Sequence, residues 1–219
     1  RFICDEIESW KKANPTKLYE NCAILYRSNA QSRVIEEAFI RARLPYRIYG
    51  GQRFYDRLEI KNAMAYLRLL LNRHDDAALE RVINVPARAI GEKTVQQLRS
   101  FAREHGTSLW QSLEQSIRQK LLSARAITSL SKFEELLDEM EVSTQNIELH
   151  EQVDHVIQHS GLIEHHQKEK GEKAQARLEN LDELVTAAKS FDPEAMQEIP
   201  PEGEEAVSYS SPMAAFIDQ

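Results

Sequence analysis

A chain of 219 residues, 42% of them hydrophobic, is long enough for one large domain or two small ones and can bury a core. Only two cysteines occur, Cys4 and Cys22, with no secretory apolar region ahead of them, which points to a reducing cytoplasm and two buried, inert thiols rather than a disulfide-stapled secreted domain. The longest apolar runs, such as Leu69 to Leu71, fall far short of the roughly 20 residues that span a bilayer, so no membrane partner is expected.

In chain order, Phe2, Ile3, Ile7 and Trp10 lie near helical spacing, and Asn14 and Pro15 stop that helix. Cys22 to Tyr26 reads as a short apolar strand. Ser28 and Gln31 match a capping box opening a helix with Val34, Ile35, Ala38, Phe39 and Ala42 on its apolar face, and Tyr46 to Tyr49 reads as a second strand. A strand-helix-strand unit of this length predicts a right-handed parallel crossover, whose remaining strands must come from elsewhere or whose exposed edges must be shielded in some other way. Asp56 and Glu59 form a second cap signature, for a helix with Ile60, Met64, Leu67 and Leu71 on one stripe.

Beyond that point the pattern is entirely helical. Asp75 or Asp76 caps a short helix ending before Pro86, and Val95, Leu98, Phe101 and Ala102 mark another that stops at Gly106, forming a hairpin. Further amphipathic segments run to Ser190, with Gly161 and Gly171 as breaks. Phe191 to Pro212 suits a flexible link, and Met213 to Ile217 hints at a helix that begins and is cut off. The expected fold class is α/β in the N-terminal third, a partial parallel sheet unit, followed by an all-α domain.

The formal charge of −7 argues against a polyanion partner until its distribution is examined. Seven acids and no Lys or Arg lie between Phe191 and Gln219, leaving 28 bases against 28 acids before them. Arg27 to Arg57 holds seven arginines against Glu36, Glu37 and Asp56, and Arg81 to Arg103 holds five bases against Glu92. The body is neutral overall, with two basic patches.

The run from Cys22 to Asn72, CAILYRSNAQSRVIEEAFIRARLPYRIYGGQRFYDRLEIKNAMAYLRLLLN, resembles the second motor domain of UvrD/PcrA-type DNA helicases of superfamily 1A, and the similarity continues more loosely along the chain. The resemblance implies a RecA-like motor portion called 2A at 1–70, a helical domain called 2B at 71–190, and an acidic link with a truncated helix at 191–219. It implies that Arg27, Asn29 and Arg53 contact single-stranded DNA from loops at strand tips, where Gly50 and Gly51 permit close approach. The bland alternative pairs these arginines with surface carboxylates such as Glu36 and Asp56.

The turn Val85-Pro86-Ala87-Arg88-Ala89-Ile90-Gly91-Glu92-Lys93-Thr94 resembles the family's GIG-type duplex-binding hairpin. Helix-start N–H groups there can hold a phosphate, with Arg88, Ile90, Gly91, Lys93 and Thr94 as duplex contacts. Ala89 stands where the first glycine is usual. The alternative is an ordinary helix-turn-helix connection.

His155 and His159 share a helical face but lack the glutamate of H-E-x-x-H, His165 and His166 complete no obvious site, and neither cysteine has zinc spacing, so no metal is expected. The acids among Lys168, Lys170, Lys173 and Arg177 suggest a solvated helix surface.

The resemblance thus implies an internal piece of a cytoplasmic, ATP-dependent 3′-to-5′ DNA helicase acting in DNA repair, with DNA and possible repair proteins as partners. ATP and Mg2+ would serve the intact enzyme. No G-x-x-x-x-G-K-[ST] phosphate loop occurs in this stretch, which is expected to carry no cofactor, no catalytic residue and no activity alone. The competing reading is a helical protein-interaction or autoinhibitory module; a third, an independent metal hydrolase, requires bound zinc.

Overall fold

The computed structural model describes residues 2–49, 51–192 and 209–218. Its helices are α1 (Phe2–Ala13), α2 (Ser32–Arg41), α3 (Leu58–Leu71), α4 (Asp76–Val82), α5 (Glu92–His105), α6 (Leu109–Arg118), α7 (Ala124–Ser143), α8 (Leu149–His159), α9 (Leu162–Gln167), α10 (Glu172–Ser190) and α11 (Pro212–Ile217). None of the described helices is long and apolar enough to cross a membrane.

Helix α3 is the axis of the packing. Its sequence is apolar nearly all round, and Ile60, Ala63, Ala65, Tyr66, Leu67 and Leu69 are all buried, as a helix covered on several sides requires. It packs against α4, α7, α8, α10 and α11, and α10 in turn packs along α8. The Tyr66 hydroxyl donates to the Val85 carbonyl at 2.6 Å, so its buried polar atom is satisfied, and burial pushes its pKa up to about 12. Capping follows the sequence signals. Asp75 accepts from the Ala78 N–H at 2.9 Å to start α4, and Gly106, at φ 63°, closes α5.

The parallel sheet unit expected in the N-terminal third is not present: no strand occurs among the described residues. Residues 22–26 and 44–49 do alternate between covered and exposed positions, with Cys22, Ile24 and Tyr26 covered and Ala23 and Leu25 exposed. A strand, however, exists only by exchanging backbone hydrogen bonds with a neighbour. These two segments make no ladder with each other or with any described residue; instead they line an open cleft of about 700 Å³ against α2. The period-two pattern reported an extended chain and could not report a partner. Cys22 is accordingly half-exposed, not buried.

Two cap signatures act differently from expectation. Gln31 Oε1 reaches back to the N–H groups of Arg27 and Ser28, at 3.0 and 3.3 Å, but the Ser28 hydroxyl turns away to Glu179, and α2 begins only at Ser32. Helix α3 starts without a side-chain cap, because Asp56 pairs with Lys61 and Glu59 is buried.

Most of the expected acidic link, 193–208, lies outside the described residues. The helix hinted at after it is α11, which opens on a Ser211 cap and Pro212 and buries Met213, Ala215, Phe216 and Ile217 against α3 and Phe191. Phe216 is fully buried. Phe216→Ala should therefore cost about 3–4 kcal/mol in urea unfolding, the usual cost of emptying a buried aromatic site; a loss below about 1 kcal/mol would mean that α11 is not part of the core.

Candidate nucleic-acid interface

The first loop, 27–31, is a single 3-10 turn ahead of α2. With its backbone tied by Gln31, it exposes Arg27 and Asn29 on either side of the half-buried Ser28. The second loop is fixed by Glu36, a buried carboxylate that accepts from the Phe54 N–H at 3.2 Å, the Ser32 hydroxyl at 2.7 Å and the Tyr46 hydroxyl at 3.4 Å. Arg53, just before Phe54, remains exposed with its guanidinium 5.4 Å from the centre of the Tyr46 ring. Asn29 and Tyr46 line the same cleft, and Arg53 lies over the Tyr46 ring. Gly50 lies outside the described residues.

Neither Arg27 nor Arg53 forms an ion pair among the described residues, and the carboxylates named as alternatives have other partners: Glu36 as above, Asp56 with Lys61 at 2.8 Å. Of the seven arginines in this stretch, Arg33 and Arg57 are buried, while Arg27, Arg41, Arg43, Arg47 and Arg53 are exposed without a carboxylate partner among the described residues.

Behind the loops runs a row of polar contacts from α10. Asn180 accepts from Arg57 at 2.7 Å and donates to Glu59 at 2.6 Å, while Arg57 also donates to the Ser32 hydroxyl at 2.6 Å. Burial draws the Arg57 pKa down, and the nearby Glu36 and Glu59 oppose that shift. Glu183 pairs with Arg33 at 2.6 Å, and Glu179 accepts from Ser28 at 2.7 Å. The sequence reading missed this row by taking the charges before and within α10 as solvated. The available signal was Asn180, a polar residue inside the apolar stripe of Leu181, Leu184 and Ala188, with acids one residue before and three after it.

The second candidate site is the turn between α4 and α5. Asn84 Oδ1 accepts from the N–H groups of Arg88 and Ile90, at 2.7 and 3.2 Å, which closes the turn. Ala89 takes the left-handed conformation, φ 58°, despite its methyl group; a non-glycine residue there carries strain of about 1–2 kcal/mol. Ile90 is turned into the core at 1% exposure. Arg88 is also turned inward: it donates to the carbonyls of Val82, Pro86 and Ser160 at 3.2, 3.1 and 2.8 Å, and lies over the rings of Tyr66 and Phe133.

What faces outward is Gly91, Glu92, Lys93 and, half-covered, Thr94. The Thr94 N–H bonds to the Gly91 carbonyl, whereas the N–H groups of Gly91, Glu92 and Lys93 have no acceptor among the described residues. Arg99 pairs with Glu80 and Glu92, so Arg81, Lys93 and Arg103 are the exposed bases here without a carboxylate among the described residues.

The histidines offer little to a cation. His155 and His159 stack with ring centres 3.8 Å apart. His165, His166 and Glu169 cluster, but both Glu169 oxygens already hold Arg177, at 2.5 and 2.7 Å.

Arg88 and Lys93 should thus separate by measurement. Arg88→Ala leaves three carbonyls without their donor and should lower stability by about 2 kcal/mol in urea unfolding, whereas Lys93→Ala should leave the midpoint in place. Equal midpoints for the two variants would contradict the inward role of Arg88.

Residues 1–204 match the model of the UvrD-like helicase C-terminal domain. The chain is 52% identical over 191 residues to DNA helicase II of Haemophilus influenzae and 51% identical to DNA helicase II of Escherichia coli; each alignment covers 87% of this chain and 26% of the relative. It is 38% identical, with the same coverage, to the ATP-dependent DNA helicase PcrA of Staphylococcus aureus. The chain therefore spans about a quarter of the length of the curated relatives it matches. With a family match over nearly its whole length and half its aligned residues identical to two DNA helicases II, the chain belongs to the UvrD-like helicase C-terminal domain family.

Proposed function

We propose that this chain is the DNA-gripping portion of an ATP-dependent 3′-to-5′ DNA helicase that acts in DNA repair. Residues 1–70 form the 2A side, which alternately holds and releases the single strand. Residues 71–190 form the 2B side, which swivels against the duplex, and helix α3 is the wall they share. The observation that carries the reading is the pair of hydrogen-bonded loops that hold Arg27 and Arg53 in place while leaving both guanidinium groups exposed and without a salt bridge among the described residues, although Asp56 lies near enough to Arg53 to feel its charge. A fixed, uncommitted guanidinium is suited to a phosphate, and Asn29 beside it can donate to phosphate or base edge.

On the duplex side, the free N–H groups of Gly91, Glu92 and Lys93 at the start of α5, with the Lys93 ammonium and Thr94 hydroxyl, form the phosphate grip. Arg88 and Ile90 serve it from behind: the first braces the turn, the second anchors it in the core. Such contacts hold the backbone without reading sequence. ATP and Mg2+ belong to other parts of the helicase. These residues contain no phosphate loop, so no step of nucleotide hydrolysis is assigned to them. Repair proteins are further partners in this reading.

The test is fluorescence anisotropy with labelled oligothymidylate and with a labelled hairpin duplex across a salt series. Arg27→Ala combined with Arg53→Ala should weaken single-strand binding about tenfold or more and reduce the log–log salt slope by about 1.4, the value for two lost phosphate contacts. Lys93→Glu should weaken duplex binding and spare the single strand. Wild-type affinity in the arginine double variant would remove both residues from the strand path.

A further inference from the structure

Glu179 is the one acid in the row facing the N-terminal unit that has no cation against it among the described residues. Glu183 pairs with Arg33, Glu169 with Arg177, and Glu59 lies beside Arg177 and Asn180. Glu179 instead accepts the Ser28 hydroxyl proton at 2.7 Å and a weak contact from Gln175 at 3.4 Å. Ser28 stands between the two exposed loop residues assigned to the strand, Arg27 and Asn29, and is itself half-buried at the foot of that loop.

A serine hydroxyl has a single proton to donate. In the free protein that proton goes to a carboxylate, a charge-assisted bond of the stronger kind. A phosphate oxygen settling between Arg27 and Asn29 meets the same hydroxyl, with an unneutralised carboxylate directly behind it. The phosphate takes the proton only if Glu179 releases it, and until then the two anions repel across one hydroxyl group.

We propose that Glu179 is a positioning residue that competes with bound single-stranded DNA for the Ser28 hydroxyl, so that strand occupancy at the Arg27 loop and the seating of α10 on that loop oppose each other. The idea rests on the single-strand assignment made above. The deeper contacts of the same helix, Asn180 with Arg57 and Glu59, are more than nine-tenths buried and stay closed, so α10 loosens only at its Ser28 end. By linkage the effect is reciprocal: whatever draws α10 onto the loop must expel the strand by the same factor.

The experiment is anisotropy of labelled oligothymidylate with the full chain in four forms: wild type, Glu179→Gln, Ser28→Ala and the double variant. Glu179→Gln preserves size and an acceptor oxygen but removes the charge, and it should bind the oligonucleotide about fivefold more tightly, at the lower end of ordinary coupling between sites. In the Ser28→Ala background the same substitution should change affinity less than twofold. Structural damage does not produce a gain in affinity, and a general charge effect would persist without Ser28; either an unchanged or weaker Glu179→Gln, or a gain undiminished in the double variant, overturns the proposal. The arginine double variant run alongside separates the two readings. If it loses binding while Glu179→Gln is neutral, only the competition fails; if it binds normally, the strand assignment itself has failed.

Discussion

The side chain of Asn180 holds together what the rest of this structure needs. Its oxygen takes a proton from Arg57, its nitrogen gives one to Glu59, and both charged partners are more than nine-tenths buried. Charges so far from water persist only when paired and hydrogen-bonded, and breaking one side of such an arrangement typically costs about 3–5 kcal/mol. Through Arg57 the network reaches Ser32 on α2, and through Ser32 it reaches Glu36, which ties down the backbone beside Arg53. One chain of hydrogen bonds thus runs from Asn180 to the loop that exposes Arg53, while the neighbouring Glu179 meets the Arg27 loop separately through Ser28.

This arrangement also sorts the arginines. The sequence shows two basic patches in a neutral body, but a basic residue contributes to an anion site only if its charge is uncommitted. Arg33 and Arg57 join the N-terminal unit to α10, and Arg88 braces the α4–α5 turn by its carbonyls. Arg99 is committed to Glu80 and Glu92, whereas Arg27 and Arg53 lie in loops and Lys93 at a helix start, where a phosphate can approach. The strained backbone at Ala89 belongs with this division, because Asn84 and Arg88 hold the turn that requires it. Strain of this kind survives only where neighbouring contacts over-determine the conformation.

Much of this is legible in the sequence. Asp75, Gly106, Gly161 and Gly171 each stand at a helix boundary, since capping and left-handed turns are local chemistry. The exposure of Arg27 and Arg53 followed from their place in loops, and that of Lys93 from its place at a helix start. The failures share one cause, the need for a distant partner. Residues 22–26 and 44–49 carry the alternation of strands, yet a strand needs a neighbour that periodicity cannot supply. The inward turn of Arg88 depends on Ser160, 72 residues away, as one of its acceptors. Glu179 looked solvated because Ser28 lies about 150 residues earlier. Local sequence reports conformation well; it does not report which side of a helix another part of the chain will cover.

The most direct test of this account is equilibrium urea unfolding of Asn180→Ala beside the wild type. The substitution leaves Arg57 and Glu59 buried without the group that joins them, and the account predicts a loss of about 3 kcal/mol or more in a single cooperative transition. A stability within about 0.5 kcal/mol of wild type, the range of an ordinary surface substitution, would show that this contact does not hold the N-terminal loops to the helical body.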